Sequence, residues 1–379
     1  MPEIFDIAVI GGGITGASVA YFLNGERSTV VLENEPYLGY HSTGRSAAEF
    51  TLRFHSEIAG RLTQASADFM TCPPDGFSKV ELLRARGNLI IADESKDDHL
   101  RRKFEQERAA PPSGAHAIEL LSAEQALEKV PFLDPDWVRA AIFDPDCWDI
   151  EVENLLQGYV RGAKQNGSLF RQSSGVTAAR RDNDHWILDT DSGEVHARTV
   201  VNAAGAWADP VSNIFGASSL GLVPYRRTAI SVKVPDYDVS AMPEVSEIDE
   251  VFYFKPDAGQ LMVSPADETP VEPHDAWAED LDIAYAAHYL TECTTLEFNH
   301  IAHSWGGLRT FAQDRLPVIG FSGQVEGVFW LAGVGGYGIQ TSPAVGQIAA
   351  ALLNETELPA NVIQAGIDPA NFSPSRFEN

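Results

Sequence analysis

The residues able to do chemistry gather first near the N-terminus. Gly11, Gly13 and Gly16 satisfy G-x-G-x-x-G between the apolar run Ile4–Ile10 and a run of small and apolar residues at 17–23. A second short apolar run at 30–32 is closed by Glu33. Strand, glycine turn, helix, strand and terminal acid together form the fingerprint of a dinucleotide site. The glycines let a pyrophosphate approach a helix N-terminus, where free amides and the helix dipole favour an anion. Glu33 can accept hydrogen bonds from both hydroxyls of an adenosine ribose, and its charge opposes a 2′-phosphate. The next stretch, "GYHSTGRSAAEF" at 39–50, surrounds Arg45 with glycines and hydroxyl residues, a setting suited to phosphate. A second glycine-rich turn (Gly333, Gly335, Gly336, Gly338) feeds a late helix with Pro343 near its start. A reduced flavin takes negative charge at its pyrimidine edge, which a helix N-terminus can stabilise. This second turn therefore points to FAD rather than NAD.

The elements that must position these residues alternate along the chain. "SEIAGRLTQASADFM" reads as an amphipathic helix and "RGNLIIAD" as a strand. Residues 94–130 read as mainly helical, interrupted by Pro111-Pro112, with a capping box at Ser122 and Gln125. "ENLLQGYVRGAKQNG" reads as a helix closed by Gly167. "HWILDT", the turn Asp191-Ser192-Gly193 and "EVHARTVVNAAG" form a hairpin, and residues 225–310 are strand-rich. The expected fold is α/β: a Rossmann-type domain from residues 1–85, 150–222 and 305–379, interleaved with an α+β domain from 86–149 and 223–304 built on an antiparallel sheet.

Composition narrows the function classes. A chain of 379 residues, 44% hydrophobic, suffices for two cores, and a formal net charge of −27 opposes binding to nucleic acid or anionic membrane. Cys72, Cys147 and Cys293 form no C-x-x-C pair, as expected of free thiols in a reducing, cytoplasmic setting. No apolar stretch is long enough to span a membrane, and no secretory leader is expected. His300 and His303 would fall on opposite faces of a strand, so no metal site is expected there. The acids between Asp144 and Asp149 read as turn caps.

Several motifs in order, "VIGGGITGAS", "GYHSTGRSAAEFT", "VVNAAGAWAD", "FYFKPDAG", "SWGGLRTF", "GGYGIQTS" and "SPSR", run nearly end to end. In these the chain resembles the D-amino-acid oxidase family of FAD enzymes, glycine and sarcosine oxidases among them, and most closely the bacterial D-arginine dehydrogenases. The resemblance implies non-covalent FAD. Its ADP half would lie at Gly11, Gly13, Ile14, Thr15, Gly16 and Glu33, with adenine against Val176. His41, Ser42, Thr43, Arg45, Ser46, Ala47 and Ala48 would line the pyrophosphate and flavin ring. Ala204, Gly205 and Trp207 would complete the cofactor site. The turn of Gly335, Gly336, Tyr337, Gly338, Ile339 and Gln340 would meet the flavin O2 edge.

The same resemblance assigns a carboxylate grip to Arg309 and Arg227, a neighbouring phenol to Tyr253, and an amine acceptor to the Gly336 carbonyl. Glu49, Phe54, Asn88 and Ile339 would meet the rest of the substrate. D-arginine dehydrogenases usually carry histidine, tyrosine and glutamate at the places of Glu49, Phe54 and Asn88, so arginine preference is not carried over. The expected reaction is oxidation of a D-amino acid to an imino acid that hydrolyses to a 2-oxo acid and ammonia, with a quinone or similar electron acceptor. The rival is a flavin oxidase of glycine, sarcosine or another secondary amine. In the oxidase branch a lysine over the flavin promotes oxygen reduction, and aligning "GQLMVSP" puts Leu261 in its place.

Overall fold

The structure is a computed structural model that describes residues 3–53 and 56–377. Strand Ile4–Ile10 runs parallel to Thr29–Leu32 on one side and to Gly193–Asn202 on the other. Its Ile7 to Ile10 are all buried, Ala8 and Val9 completely, which is why this half of the strand is continuously apolar instead of alternating. Helix Ile14–Phe22 buries Ile14 to Ala20 without interruption, so only small and apolar side chains fit it. Gly16 makes the closest approach: a Cβ there would sit 1.9 Å from the Gly11 carbonyl oxygen. The hairpin Val176–Asp182, His185–Thr190 and Gly193–Asn202 extends this eight-stranded sheet, and Val328–Ala332 joins it in parallel at Val200–Asn202.

A nine-stranded sheet forms the second layer, centred on Val223–Val232, Ile301–Phe311, Tyr253–Asp257 and Gln260–Ser264. Its core, including Leu89, Phe132, Phe254 and Leu290, is separate from the core of Val9, Val201, Leu331 and Ile348 beneath the first sheet. A small third sheet joins Glu49–Thr51, Cys147–Ile150 and Leu83–Ala85. The chain thus passes repeatedly between a parallel-centred sheet and a largely antiparallel one, the interleaved α/β arrangement expected.

Two local expectations gain detail and a third needs correction. The stretch 225–310 contains a 14-residue helix, Asp280–Cys293, whose buried Asp282, Ala286, Leu290 and Cys293 recur at helical spacing. The region 94–130 holds helices Asp97–Ala109 and Ala123–Lys129 separated by strand Glu119–Ser122, and Ser122 with Gln125 forms the capping box. Asp144 does accept a turn hydrogen bond from the Asp146 amide, but the acids of this stretch chiefly anchor buried ion pairs. Arg53 bridges Asp144 and Asp146 at 2.5 and 3.1 Å, and Asp149 gathers Arg86, Arg84 and Lys255.

Candidate functional site

Register decides which side chains meet between the sheets. In the antiparallel pair of Val223–Val232 with Ile301–Phe311, Tyr225 lies opposite Arg309 and Arg227 opposite Gly307. Directly opposed residues point to the same side and neighbours along a strand to opposite sides, so Arg227 and Arg309 share a face. Arg226 takes the other face, where it pairs with Asp282 at 2.7 Å and Glu279 at 3.2 Å on the Asp280–Cys293 helix and its cap. The same alternation carries across the sheet: Ser231 opposes Met262, which opposes Lys255, and Tyr253 lies two residues before Lys255. Arg227, Arg309, Met262, Lys255 and Tyr253 therefore form one face, while Leu261 and Val263 enter the hydrophobic core. The residue presented to the cavity is thus Met262, not Leu261. Alignment by motif alone misses this one-residue offset, which reverses the face.

Two spaces lie over this face, and a third, the cofactor-sized cavity, adjoins them. A cavity of about 550 Å³ is lined by Gly11, Gly13, Ile14, Thr15, Glu33, His41, Ser42, Thr43, Val176, Ala204, Gly205, Trp207 and Gly335. Ser42, Thr43 and Gly335 also line a narrow junction of about 90 Å³ with Arg45, Ser46, Ala47, Arg227, Tyr253, Arg309, Gly336, Gly338 and Ile339. Beyond it opens a chamber of about 710 Å³ that shares Arg227, Arg309, Tyr253 and Gly336, and adds Ala48, Glu49, Asn88, Glu244, Tyr337 and Gln340. Phe54 lies outside the described residues.

The first cavity suits a dinucleotide. Gly13, at the start of the Ile14–Phe22 helix, has no side chain to cap it. Glu33 is held at the strand end by the Gly12 and Glu35 amides at 2.7 and 2.9 Å, one on each carboxylate oxygen, leaving further acceptor capacity for ribose hydroxyls. Thr43 Oγ1 accepts from the Ile14 amide at 3.1 Å and ties the 39–50 stretch to the same helix. Gly16 does not line the cavity; it lets helix and strand pack.

Some expected cofactor residues have other engagements. The Arg45 guanidinium is committed to the Ala276 carbonyl at 2.7 Å and Asp275 Oδ1 at 2.5 Å, so it is not a free phosphate donor. The Gln340 side-chain oxygen accepts from the Thr51 amide at 3.0 Å, and the Tyr337 hydroxyl donates to the Arg315 carbonyl at 2.7 Å. With Ala48, these two line the large chamber rather than the first cavity.

At the junction, two cations share one wall. Arg309 makes no hydrogen bond or ion pair among the described residues, and a Cβ on Gly336 would lie 3.0 Å from its Nη1. Burial, and then the charge of Arg227, hold its pKa below the usual guanidinium value. Arg227 reaches Glu268 only at 3.4 Å, and its Nε is buried without a partner. Two guanidiniums with unspent donors beside the Tyr253 phenol form a receptor for an anion with paired oxygens.

The chamber wall holds features that single motifs do not reveal. Glu49 accepts from the Cys147 thiol at 3.0 Å, and ligand atoms of Glu49, Cys147 and Glu244 lie within 4.8 Å of one another. Burial, followed by the charge of Glu49, pushes the Glu244 carboxyl well up, and burial raises the Cys147 thiol likewise. Lys255 supplies positive charge here; its Nζ donates to the Ala47 carbonyl at 2.7 Å and pairs with Asp149 at 2.8 Å. Asn88 accepts from the Ser246 hydroxyl at 3.0 Å. Glu244 and Lys255 escaped sequence reading because nothing local marks a charge that the fold will bury.

Known proteins show the same plan. The family described as "FAD dependent oxidoreductase" matches residues 6–352. Glycine oxidase of Bacillus subtilis is 24% identical, over 96% of this chain and 97% of its own. Human mitochondrial dimethylglycine dehydrogenase is 25% identical over 97% of this chain but only 44% of its own length. The crystal structure of glycine oxidase from Geobacillus kaustophilus superposes with a TM-score of 0.82 at 24% identity, covering 99% of each chain. L-proline dehydrogenase from P. horikoshii gives 0.80 at 22% identity, covering 100% of this chain and 99% of its own.

Proposed function

Since the chain belongs to the FAD-dependent oxidoreductase family, we propose that it oxidises a D-amino acid to an imino acid, which water converts to a 2-oxo acid and ammonia. Bound FAD would supply the hydride acceptor. The observation carrying this reading is Arg309, a cation with no counter-ion among the described residues, set against Arg227 and Tyr253 where the cofactor cavity meets the large chamber. Arg309 and Arg227 would hold the substrate carboxylate, with the Tyr253 hydroxyl beside it. The Gly336 carbonyl would accept from the amine, and together these contacts orient Cα–H toward the junction. Ile339 and Met262 give that junction an apolar side beside the charged one.

The chamber supports a substrate with a side chain. A volume of about 710 Å³ next to the grip far exceeds what a hydrogen or a methyl needs. Asn88 and Glu49 on its wall offer polar contacts, and Asn88 brings no charge, so selectivity for arginine is not part of this reading. The resemblance to D-arginine dehydrogenases supports the D configuration and a dehydrogenase. A second reading, oxidation of glycine, sarcosine or another secondary amine with oxygen as acceptor, draws on relatives named glycine oxidase and dimethylglycine dehydrogenase.

An anaerobic screen of D-amino acids, L-amino acids, glycine and N-methyl amino acids for flavin bleaching tests the choice. Bleaching by D-amino acids with side chains is expected. Bleaching confined to glycine or N-methyl amines would transfer support to the second reading.

A further inference from the structure

Arg45 sits in the stretch that leads out of the dinucleotide cavity, yet its charge is spent on a segment more than two hundred residues away. Residues 271–279 join strand Thr269–Pro270 to helix Asp280–Cys293 without regular structure of their own. Both roots belong to the second sheet: Thr269 and Pro270 pair with Arg226 and Tyr225, and Glu279 is gripped by Arg226 at 3.2 Å. Between the roots the segment lies flat on strand Ile301–Phe311. A Cβ on Gly306 would come within 2.7 Å of the Trp277 carbonyl oxygen, so only glycine allows this approach. Ala276 is buried with Ala206 and Leu308 against Trp207.

The middle of the segment reaches the cofactor cavity, whose lining His274 and Asp275 share with Gly13 and Thr43. Its polar ties to residues 40–45 converge on one point among the described residues. Asp275 takes Arg45 at 2.5 Å, the Tyr40 hydroxyl at 3.5 Å and His41 Nδ1 at 3.9 Å, while the Ala276 carbonyl takes Arg45 at 2.7 Å. Arg45 also lies over the Tyr40 ring at 5.2 Å, and His41 is held from its other side by Glu35 at 3.1 Å. An arginine expected to hold phosphate is thus neutralised by an acid delivered from the other sheet.

We propose that residues 271–279 are a strap closing the dinucleotide cavity, with the Asp275–Arg45 pair as the catch that sets how fast FAD leaves. Both roots are fixed by pairing and ion contacts, whereas the middle is held by the half-exposed Asp275–Arg45 pair, the Ala276 carbonyl contact and the packing of Ala276 on Ala206 and Leu308. Opening therefore needs the middle to lift, which breaks the pair and unpacks Ala276. The catch acts by positioning and touches no reacting atom. Because it is exposed, salt screens it.

The test follows FAD release from the holoenzyme by flavin fluorescence after dilution, at low and high salt, for the wild type, Asp275→Ala and Asp275→Glu. Asp275 is 59% exposed at its side chain, so its removal leaves the cores untouched. Asp275→Ala should release FAD about tenfold faster, lose the salt dependence of the wild type, and be rescued in large part by Asp275→Glu. A release rate within twofold of wild type would overturn the strap. So would faster release with unchanged salt dependence, which marks a general loosening. Wild-type protein that bound no FAD would instead be seen at once in its absorbance and would count against the cofactor reading.

Discussion

Replacing Arg309 with methionine separates the proposed carboxylate grip from the fold. Methionine keeps much of the stem and removes the guanidinium. In the unliganded protein the loss should be small, because Arg309 has no counter-ion among the described residues and its charge is disfavoured by burial and by Arg227. Deleting it ends a like-charge contact. With substrate bound the balance reverses. The carboxylate would face Arg227 and Tyr253 alone, in a junction of about 90 Å³ whose opening to the large chamber the substrate side chain would occupy. Removing one partner of a desolvated charge pair costs about 2–5 kcal/mol. At about 1.4 kcal/mol per decade this is roughly a 30- to 5,000-fold loss in kcat/KM. Anaerobic flavin bleaching across substrate concentrations measures capture, the denaturant midpoint measures stability, and the visible spectrum measures FAD retention. Unaltered saturation would show that the carboxylate binds elsewhere. A loss of stability as large as the loss of capture would show that Arg309 supports the fold instead.

Three further outcomes are expected. Heat or acid should release intact FAD from precipitated protein, since Cys147 and Cys293 are buried, Cys72 is exposed, and none lines the junction; flavin remaining with the pellet would overturn this. Reduced enzyme should persist in air-saturated buffer yet reoxidise quickly with a quinone or dye, because Met262 rather than a lysine faces the junction and Lys255 is held by Ala47 and Asp149. Stopped-flow reoxidation by oxygen as fast as turnover would refute it. At Asp149, burial raises the pKa, but Arg86, Lys255 and Arg84 outweigh it and hold the carboxyl at about 2, below its ordinary 3.8. A depressed acid stabilises above its unfolded pKa and loses that effect as pH falls through the folded value. Asp149→Asn should therefore cost about 2–3 kcal/mol at pH 7, and the gap from wild type should narrow between about pH 4 and pH 2 in denaturant titrations.

Much of this protein is legible along the chain wherever function depends on backbone conformation. Gly11, Gly13 and Gly16 mark a turn that few other residues can make, and Glu33 stands at a strand end set by a short apolar run. Such signals are local, so a linear reading recovers the dinucleotide unit and the late glycine turn. The motif order extends that reading to the interleaved fold and to Arg309, Arg227 and Tyr253. What the chain alone left open depends on partners distant in sequence. Whether Arg226 or Arg227 enters the cavity, and whether Leu261 or Met262 does, is set by pairing register, since a single residue reverses the face. Arg45 reads as a phosphate ligand until the fold brings Asp275 to it across 230 residues. The acids from Asp144 to Asp149 read as turn caps until Arg53, Arg86 and Lys255 converge on them. Residue type determines which charges this protein can place. Only the packed tertiary structure decides which are neutralised and which, like Arg309, are left with no counter-ion among the described residues.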